Sequence, residues 1–145
     1  RYVGEYHQGL PNGEGKYEWS TGDTYVGQFK QGLKHGRGKW KQQSSEREGP
    51  SKFNLYDGEY LDDLKHGFGV FQWEAGNKYS GYFKFDERDG WGEMNWIDGS
   101  SYKGQWREGI QHGFGIMYFD KTNSSKKKVG FFENNVFVSA LSNLD

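Results

Sequence analysis

The chain contains no cysteine and only two prolines among its 145 residues, and its formal net charge is −1. Without cysteine there is no disulfide framework, no thiol nucleophile and no cysteine-based zinc site. Balanced charge argues against bulk attraction to nucleic acid or to anionic lipid. Long hydrophobic runs are missing too. The apolar stretches are a few residues each, far short of a membrane span, and no signal peptide is recognisable. An intracellular, reducing setting is therefore expected. Aliphatic residues are also scarce: hydrophobic residues reach 32%, and aromatics alone are 19%. Most of the apolar material is ring, which leaves too little aliphatic bulk for a helical bundle or a doubly wound sheet. The chain opens on Arg1 rather than Met, which suggests a segment of something longer.

What the chain does have is glycine, 23 residues of it, and the glycines are periodic. Counting from Tyr2 as offset 0, Gly4, Tyr6, Gly9, Gly13, Gly15, Tyr17, Trp19 and Gly22 follow. The same offsets recur from Tyr25, Tyr56, Tyr79 and Tyr102, and a degenerate sixth copy starts at Lys128 with Gly130 and Phe132. Successive starts lie 23, 31, 23, 23 and 26 residues apart, so two copies carry insertions, about 42–53 and 121–127. Of the 23 glycines, 22 fall on a template position, which identifies the repeat as the organising unit.

Offsets 0, 2 and 4 alternate as one face of a strand; offsets 11, 13, 15 and 17 do the same for a second strand. Each copy therefore reads as a β-hairpin, joined through a polar segment such as Gln31-Gly32-Leu33-Lys34-His35, with Gly22-type positions turning into the next copy. Rings lying over strand glycines repair the weakness that glycine brings to a strand. One hairpin is marginal in water, so copies must stack. The expected fold is all-β: an elongated, single-layer antiparallel sheet of stacked hairpins. It comprises five full repeats and a worn sixth over residues 1–138, with 139–145 as a C-terminal tail.

Tyr-x-Gly-x-aromatic followed by His-Gly-x-Gly, clearest at Tyr25 with His35-Gly36-Arg37-Gly38, Tyr56 with His66-Gly67-Phe68-Gly69, and Tyr102 with His112-Gly113-Phe114-Gly115, resembles the MORN (membrane occupation and recognition nexus) repeat. The likeness departs at Asn12 and Asp89, which replace the histidine, and at Asp63 and Asp86, which replace the glycine at offset 7. The resemblance implies a scaffold and protein-binding module of the kind found in radial-spoke, axonemal and other cytoskeletal proteins. It implies no enzymatic activity, and phosphoinositide binding has been attributed to such repeats.

No catalytic motif accompanies the repeat: there is no His-Glu-x-x-His, Gly-x-Ser-x-Gly or Walker-type loop. His35, His66 and His112 share one offset and line up one or two repeats apart, too far apart to converge on a metal, so they read as structural turn residues. No cofactor or metal is expected. The face opposite the glycines varies from copy to copy. Offsets 12, 14 and 16 are charged in the first two copies (Glu14, Lys16, Glu18; Arg37, Lys39, Lys41) and largely apolar later. Phe68, Trp91 and Phe114 are expected to form a column, with Tyr82 beside it and Val70, Ile116 and Tyr118 flanking. Such a stripe marks a site for another protein or for self-association, unless Val136 to Leu141 folds over it. An alternative places acidic phospholipid on Lys126, Lys127 and Lys128 with edge lysines Lys34 and Lys65. A nucleic-acid platform is disfavoured by the charge.

Overall fold

A computed structural model describes residues 1–43, 52–120, 122–123 and 125–141. Residues that alternate ring and glycine on one face, with polar groups on the other, form antiparallel strands paired by short turns. The strands are β1 (Tyr2–His7), β2 (Leu10–Glu18), β3 (Thr24–Lys30), β4 (Leu33–Gln43), β5 (Phe53–Leu61), β6 (Leu64–Gln72), β7 (Lys78–Lys84), β8 (Glu87–Asn95), β9 (Ser101–Arg107), β10 (Ile110–Tyr118), β11 (Lys127–Glu133) and β12 (Val136–Ala140). All twelve lie in one open sheet in sequence order, and no helix occurs among the described residues. The expected stack of hairpins is the observed architecture.

The hairpin turns are tighter than expected. Only two residues separate the paired strands, both with positive φ, as at Gln31 (50°) and Gly32 (83°) or Asp62 (45°) and Asp63 (72°). These are type I′ turns, whose twist matches that of the flanking strands, so the strand resumes at once. Leu33, Lys34 and His35 consequently belong to β4, and His66 and His112 to β6 and β10. The histidines are strand residues, not turn residues.

Within each of the first five hairpins the register slips after the glycine pair: Gly27 faces Gly38, but Phe29 then faces Lys34. The extra residues form a β-bulge, and the glycine at offset 11 takes the left-handed conformation there (φ 69° at Gly36, 93° at Gly67). That glycine serves the backbone bend and is not part of the floor under the rings.

The floor itself is a series of cross-strand glycine pairs, Gly4–Gly15, Gly27–Gly38, Gly58–Gly69, Gly81–Gly92 and Gly104–Gly115. Over each pair lies the offset-0 tyrosine, so that a methyl on Gly69 would overlap the Tyr56 ring. The hydroxyl reaches past its own glycine and donates to the carbonyl three residues on: Tyr25 to Gln28 O and Tyr56 to Glu59 O, both 2.8 Å. Tyr25, Tyr56, Tyr79 and Tyr102 are fully buried in a sheet only one layer thick.

Copies interlock through the offset-4 ring, which sits edge-on between two tyrosines. Tyr60 meets Tyr56 at 5.1 Å and Tyr25 of the preceding copy at 5.4 Å; Trp106 meets Tyr102 at 5.2 Å and Tyr79 at 5.5 Å. Each such pair adds about 0.5–1.5 kcal/mol beyond area burial. Phe132 of the last copy packs on Tyr102 at 5.0 Å, but its own offset-0 residue is Lys128.

Three boundaries shift from expectation. The first insertion is partly ladder, since Gln42 pairs with Asn54 and Gln43 with Phe53; the rest of it lies largely outside the described residues. Lys127, assigned to the second insertion, opens β11. The sixth copy is a complete hairpin: β12 pairs with β11 through Ala140, two residues beyond the expected end of the array. Because β12 extends the sheet sideways, Val136 to Ala140 does not fold over the apolar stripe. Val136 and Val138 are themselves 60% and 53% exposed.

Candidate binding surfaces

The sheet offers two faces built by different rules. On the glycine face, residues at offset 9 come just after each hairpin turn and point over the rings. Lys34 Nζ lies 5.1 Å from the Tyr60 centroid and 5.8 Å from Tyr25. Lys65 Nζ lies 5.6 Å from Phe71 and 5.8 Å from Tyr56, and the Arg88 guanidinium 4.9 Å from Trp106. These are cation–π distances. Burial pushes the Lys34 ammonium below the usual lysine range, against the opposing pull of Asp63 and Asp86, and it lowers Arg88 as well. Adjoining hollows of about 320, 380 and 500 Å³ run along this face, walled by Trp40, Phe71, Trp73, Met94, Trp96 and Trp106. The sequence hides this groove, because its cations and tryptophans sit at offsets that look like turn and strand-end residues.

Acidic side chains tie the cations to the frame. Asp86 Oδ1 is 3.4 Å from Lys65 Nζ and accepts the Lys65 amide at 2.8 Å, and Asp63 Oδ1 accepts the Lys34 amide at 2.7 Å. Each of these aspartates stands in a hairpin turn and bonds the preceding copy. The replacement of glycine at offset 7 by Asp63 and Asp86 is thus a link between copies.

The reverse face carries the expected stripe. Cross-strand register places Phe68 beside Tyr82, Trp91 beside Gln105, and Phe114 beside Phe131, so the rings form one row over β6 to β11. Six strands at a spacing of roughly 4.8 Å make that row about 24 Å long. Phe68, Tyr82 and Trp91 are 46%, 51% and 50% exposed, and Phe114 is half-buried. Phe131, 44% exposed and 6.2 Å from Phe114, belongs to the row but lies outside the expected set, because the sixth copy looks worn in sequence. Val70, Ile116 and Tyr118 lie half-buried in the neighbouring rows.

One member of the row breaks a structural rule. At offset 3 the worn sixth copy carries Phe131, while the other full copies carry Glu5, Gln28, Glu59 and Gln105. The last three of these accept the amide N–H of the bulge: Gln28 from Arg37 at 2.8 Å, Glu59 from Phe68 at 2.7 Å and Gln105 from Phe114 at 2.8 Å. In the fourth copy Tyr82 stands there. Only its Cβ comes near the bulge Gly90, while its ring packs edge-on to Phe68 at 5.6 Å. A side chain that caps the bulge elsewhere has been exchanged for an exposed ring.

The five lysines of the lipid alternative are not brought together. Lys34 and Lys65 lie in the groove, not on an edge; Lys128 shares that face, over Phe137 at 5.3 Å, seven strands away from Lys34. Lys127, one residue earlier in β11, falls in the reverse-face rows opposite Tyr118, and Lys126 closes the loop through its carbonyl to Phe119 N–H. His35 lies 3.7 Å from Asp62, and His66 Nδ1 accepts from Phe85 N–H at 3.4 Å. Among the described residues no cluster of His, Asp and Glu is placed to hold a metal ion.

No curated protein matches the chain. The family model of the MORN repeat matches residues 2–24, 25–44, 56–78, 79–101 and 102–123, each match opening on the tyrosine that covers a glycine pair. Repeats of this kind are non-enzymatic modules that bind proteins or membranes. With well over half of its length matched and every matched hairpin built on the same covered glycine pair, the chain belongs to the MORN repeat family.

Proposed function

We propose that this ribbon is a non-enzymatic scaffold that docks a protein on the aromatic row of its reverse face. The observation that carries the proposal is Tyr82, which forgoes the bulge-capping oxygen of its counterparts and adds a half-exposed ring to a row already holding Phe68, Trp91 and Phe114. Sites where a fold gives up a local stabilising rule are where function is expected. Large rings at the centre of an interface dominate its energy, so Phe68, Trp91 and Phe114 are the anchors, with Tyr82, Val70, Ile116 and Tyr118 as surrounding contacts. All of these side chains stand on the face away from the buried tyrosines, so they can be changed without touching the glycine floor.

Replacing Phe68, Trp91 and Phe114 together by alanine tests the reading. The triple variant should keep its far-UV circular dichroism and lose the proteins that co-purify with the tagged parent chain. Retention of the same proteins by a folded triple variant rejects it. The cellular setting proposed is a ciliary-axonemal or other cytoskeletal assembly, which rests on where similar arrays are found. A tagged chain that leaves with the soluble fraction on detergent extraction counts against that setting.

A further inference from the structure

Two rows of the reverse face are nearly palindromic across strands β6 to β11. Take the boundary between β8 and β9 as a mirror position. In the ring row, Phe68, Tyr82 and Trp91 on one side are answered by Phe131, Phe114 and Gln105 on the other. In the next row, Val70, Ser80 and Glu93 are answered by Val129, Ile116 and Lys103. Apolar positions answer apolar ones, apart from Ser80 and Gln105, and the two charged positions are opposite in sign.

Such a pattern is self-complementary under one operation: a two-fold axis parallel to the strands, lying between two facing sheets. Resting on the docking face argued above, we infer that its partner is a second copy of this chain, stacked reverse face to reverse face about that axis. Phe68 then meets Phe131 of the second copy, Tyr82 meets Phe114, and Val70 meets Val129. Glu93 stands over Lys103 of the second copy, and Lys103 over its Glu93, so one ion-pair geometry is made twice. Within a single chain these two residues are only 3.9 Å apart and exposed, a pair worth little by itself.

The same axis explains the uneven charge of the face. It lays β8 over β9, β5 over β12, and leaves β1 to β4 beyond the edge of the partner. Those four strands carry the charged positions Glu14, Lys16, Glu18, Arg37, Lys39 and Lys41, which remain in water. The apolar region starts at β6, one strand inside the overlap, with Asp57 and Glu59 of β5 at its margin. In size, five half-exposed rings of 150–250 Å² each, with the flanking valines, isoleucine and tyrosine, offer roughly 500–800 Å² per copy, close to the ~800 Å² of a standard specific interface. Two sheets packed in this aligned manner sit about 10 Å apart, a distance that rings from both sides fill.

The charge pair gives a test that leaves the buried tyrosines and the glycine floor untouched. Glu93→Lys brings two ammonium groups together at each cross-axis pair, and Lys103→Glu brings two carboxylates together there. Each substitution should lower self-association by about tenfold or more relative to the parent, measured by sedimentation equilibrium. Mixed in equal amounts, the two variants should recover a dimer containing one of each. In that mixed dimer each of the two cross-axis pairs sets an ammonium of one chain against a carboxylate of the other, so neither pair is repulsive. A parent chain that stays monomeric over a wide concentration range overturns the inference, and so does a dimer indifferent to both reversals or unrescued by mixing. If the parent is monomeric yet the Phe68, Trp91 and Phe114 triple alanine variant loses its co-purifying proteins, the docking face stands and its occupant is another protein. If neither behaviour is seen, both proposals fall.

Discussion

The Tyr56–Gly69 contact offers the sharpest measure of what holds a single-layer sheet together. Truncating Tyr56 to alanine removes a fully buried ring, for which about 3–5 kcal/mol is usual, and a phenol hydrogen bond worth about 1 kcal/mol. Placing alanine at Gly69 instead drives a methyl to 2.6 Å from two ring carbons of Tyr56, an overpacking cost of about 1–3 kcal/mol. The two changes together should not add. With the ring gone the methyl has room, and alanine in a strand is about 0.5–1 kcal/mol better than glycine. The double variant should therefore match or slightly exceed Tyr56→Ala alone, giving a coupling of about 2–3 kcal/mol of the sort neighbouring residues show. Urea unfolding followed by tryptophan fluorescence reads all four corners of the cycle. The milder Tyr2/Gly15 pair, where the ring is half-buried, should give the same sign at smaller size and guards against a chain too unstable to measure. Additivity within about 0.5 kcal/mol at both pairs would mean that the rings merely lie near the glycines and do not depend on their bareness.

Alkaline pH should unfold the ribbon cooperatively. Burial raises the phenols of Tyr2, Tyr25, Tyr56, Tyr60, Tyr79 and Tyr102, the last to about 12, from an ordinary value of 10.0. Raised folded-state values confer stability that is intact below the unfolded pKa near 10 and is lost as the pH climbs through the folded values. Lys34 and Arg88, lowered by burial, work in the opposite sense, but they are two groups against six. Phenolate absorbance that rises smoothly above pH 10 while circular dichroism stays native would contradict this. Removing the bulge cap with Glu59→Ala should cost about 1.5–3 kcal/mol, as for a hydrogen bond to a charged group, while the corresponding Tyr82→Ala should cost the cap nothing; chemical denaturation of the two compares them directly. Phe85→Asn, at the first position of a type I′ turn where Phe85 has φ 47°, should raise the melting temperature, because asparagine tolerates the left-handed region. Vesicles rich in acidic lipid should leave the chain unbound in flotation at low salt, since its lysines are dispersed over both faces; flotation that disappears at high salt would reverse this.

Period and glycine count are enough to read the stacked hairpins, because ring-over-glycine contact is local and repeats with the chain. The bulge is not legible. Gly36 at offset 11 and Gly38 at offset 13 look alike in sequence, and only the backbone angle separates a residue that bends the strand from one that lies under a ring. The same slip in register turns Lys34, Lys65 and Arg88 over the rings, so lysines that look like edge residues line a groove instead. Phe131 escapes the sequence for a different reason. Its copy lacks the paired glycines and the leading tyrosine, yet β12 forms through ladder bonds that any of Val136 to Ala140 can make. The row Phe68, Tyr82, Trp91 and Phe114 is visible because positions free of the repeat's demands are where sequence varies for other reasons.

Lys128 has a consequence for anyone lengthening this protein. A ring at offset 4 is clamped by two tyrosines, one from its own hairpin and one from the hairpin before it. A seventh hairpin grafted after Ala140 would reach back for a phenol and touch an ammonium instead. In the first copy Tyr6 packs on Tyr2 at 4.9 Å and is 60% exposed. A hairpin stacked on β1 would instead complete the clamp on Tyr6 with its own tyrosine.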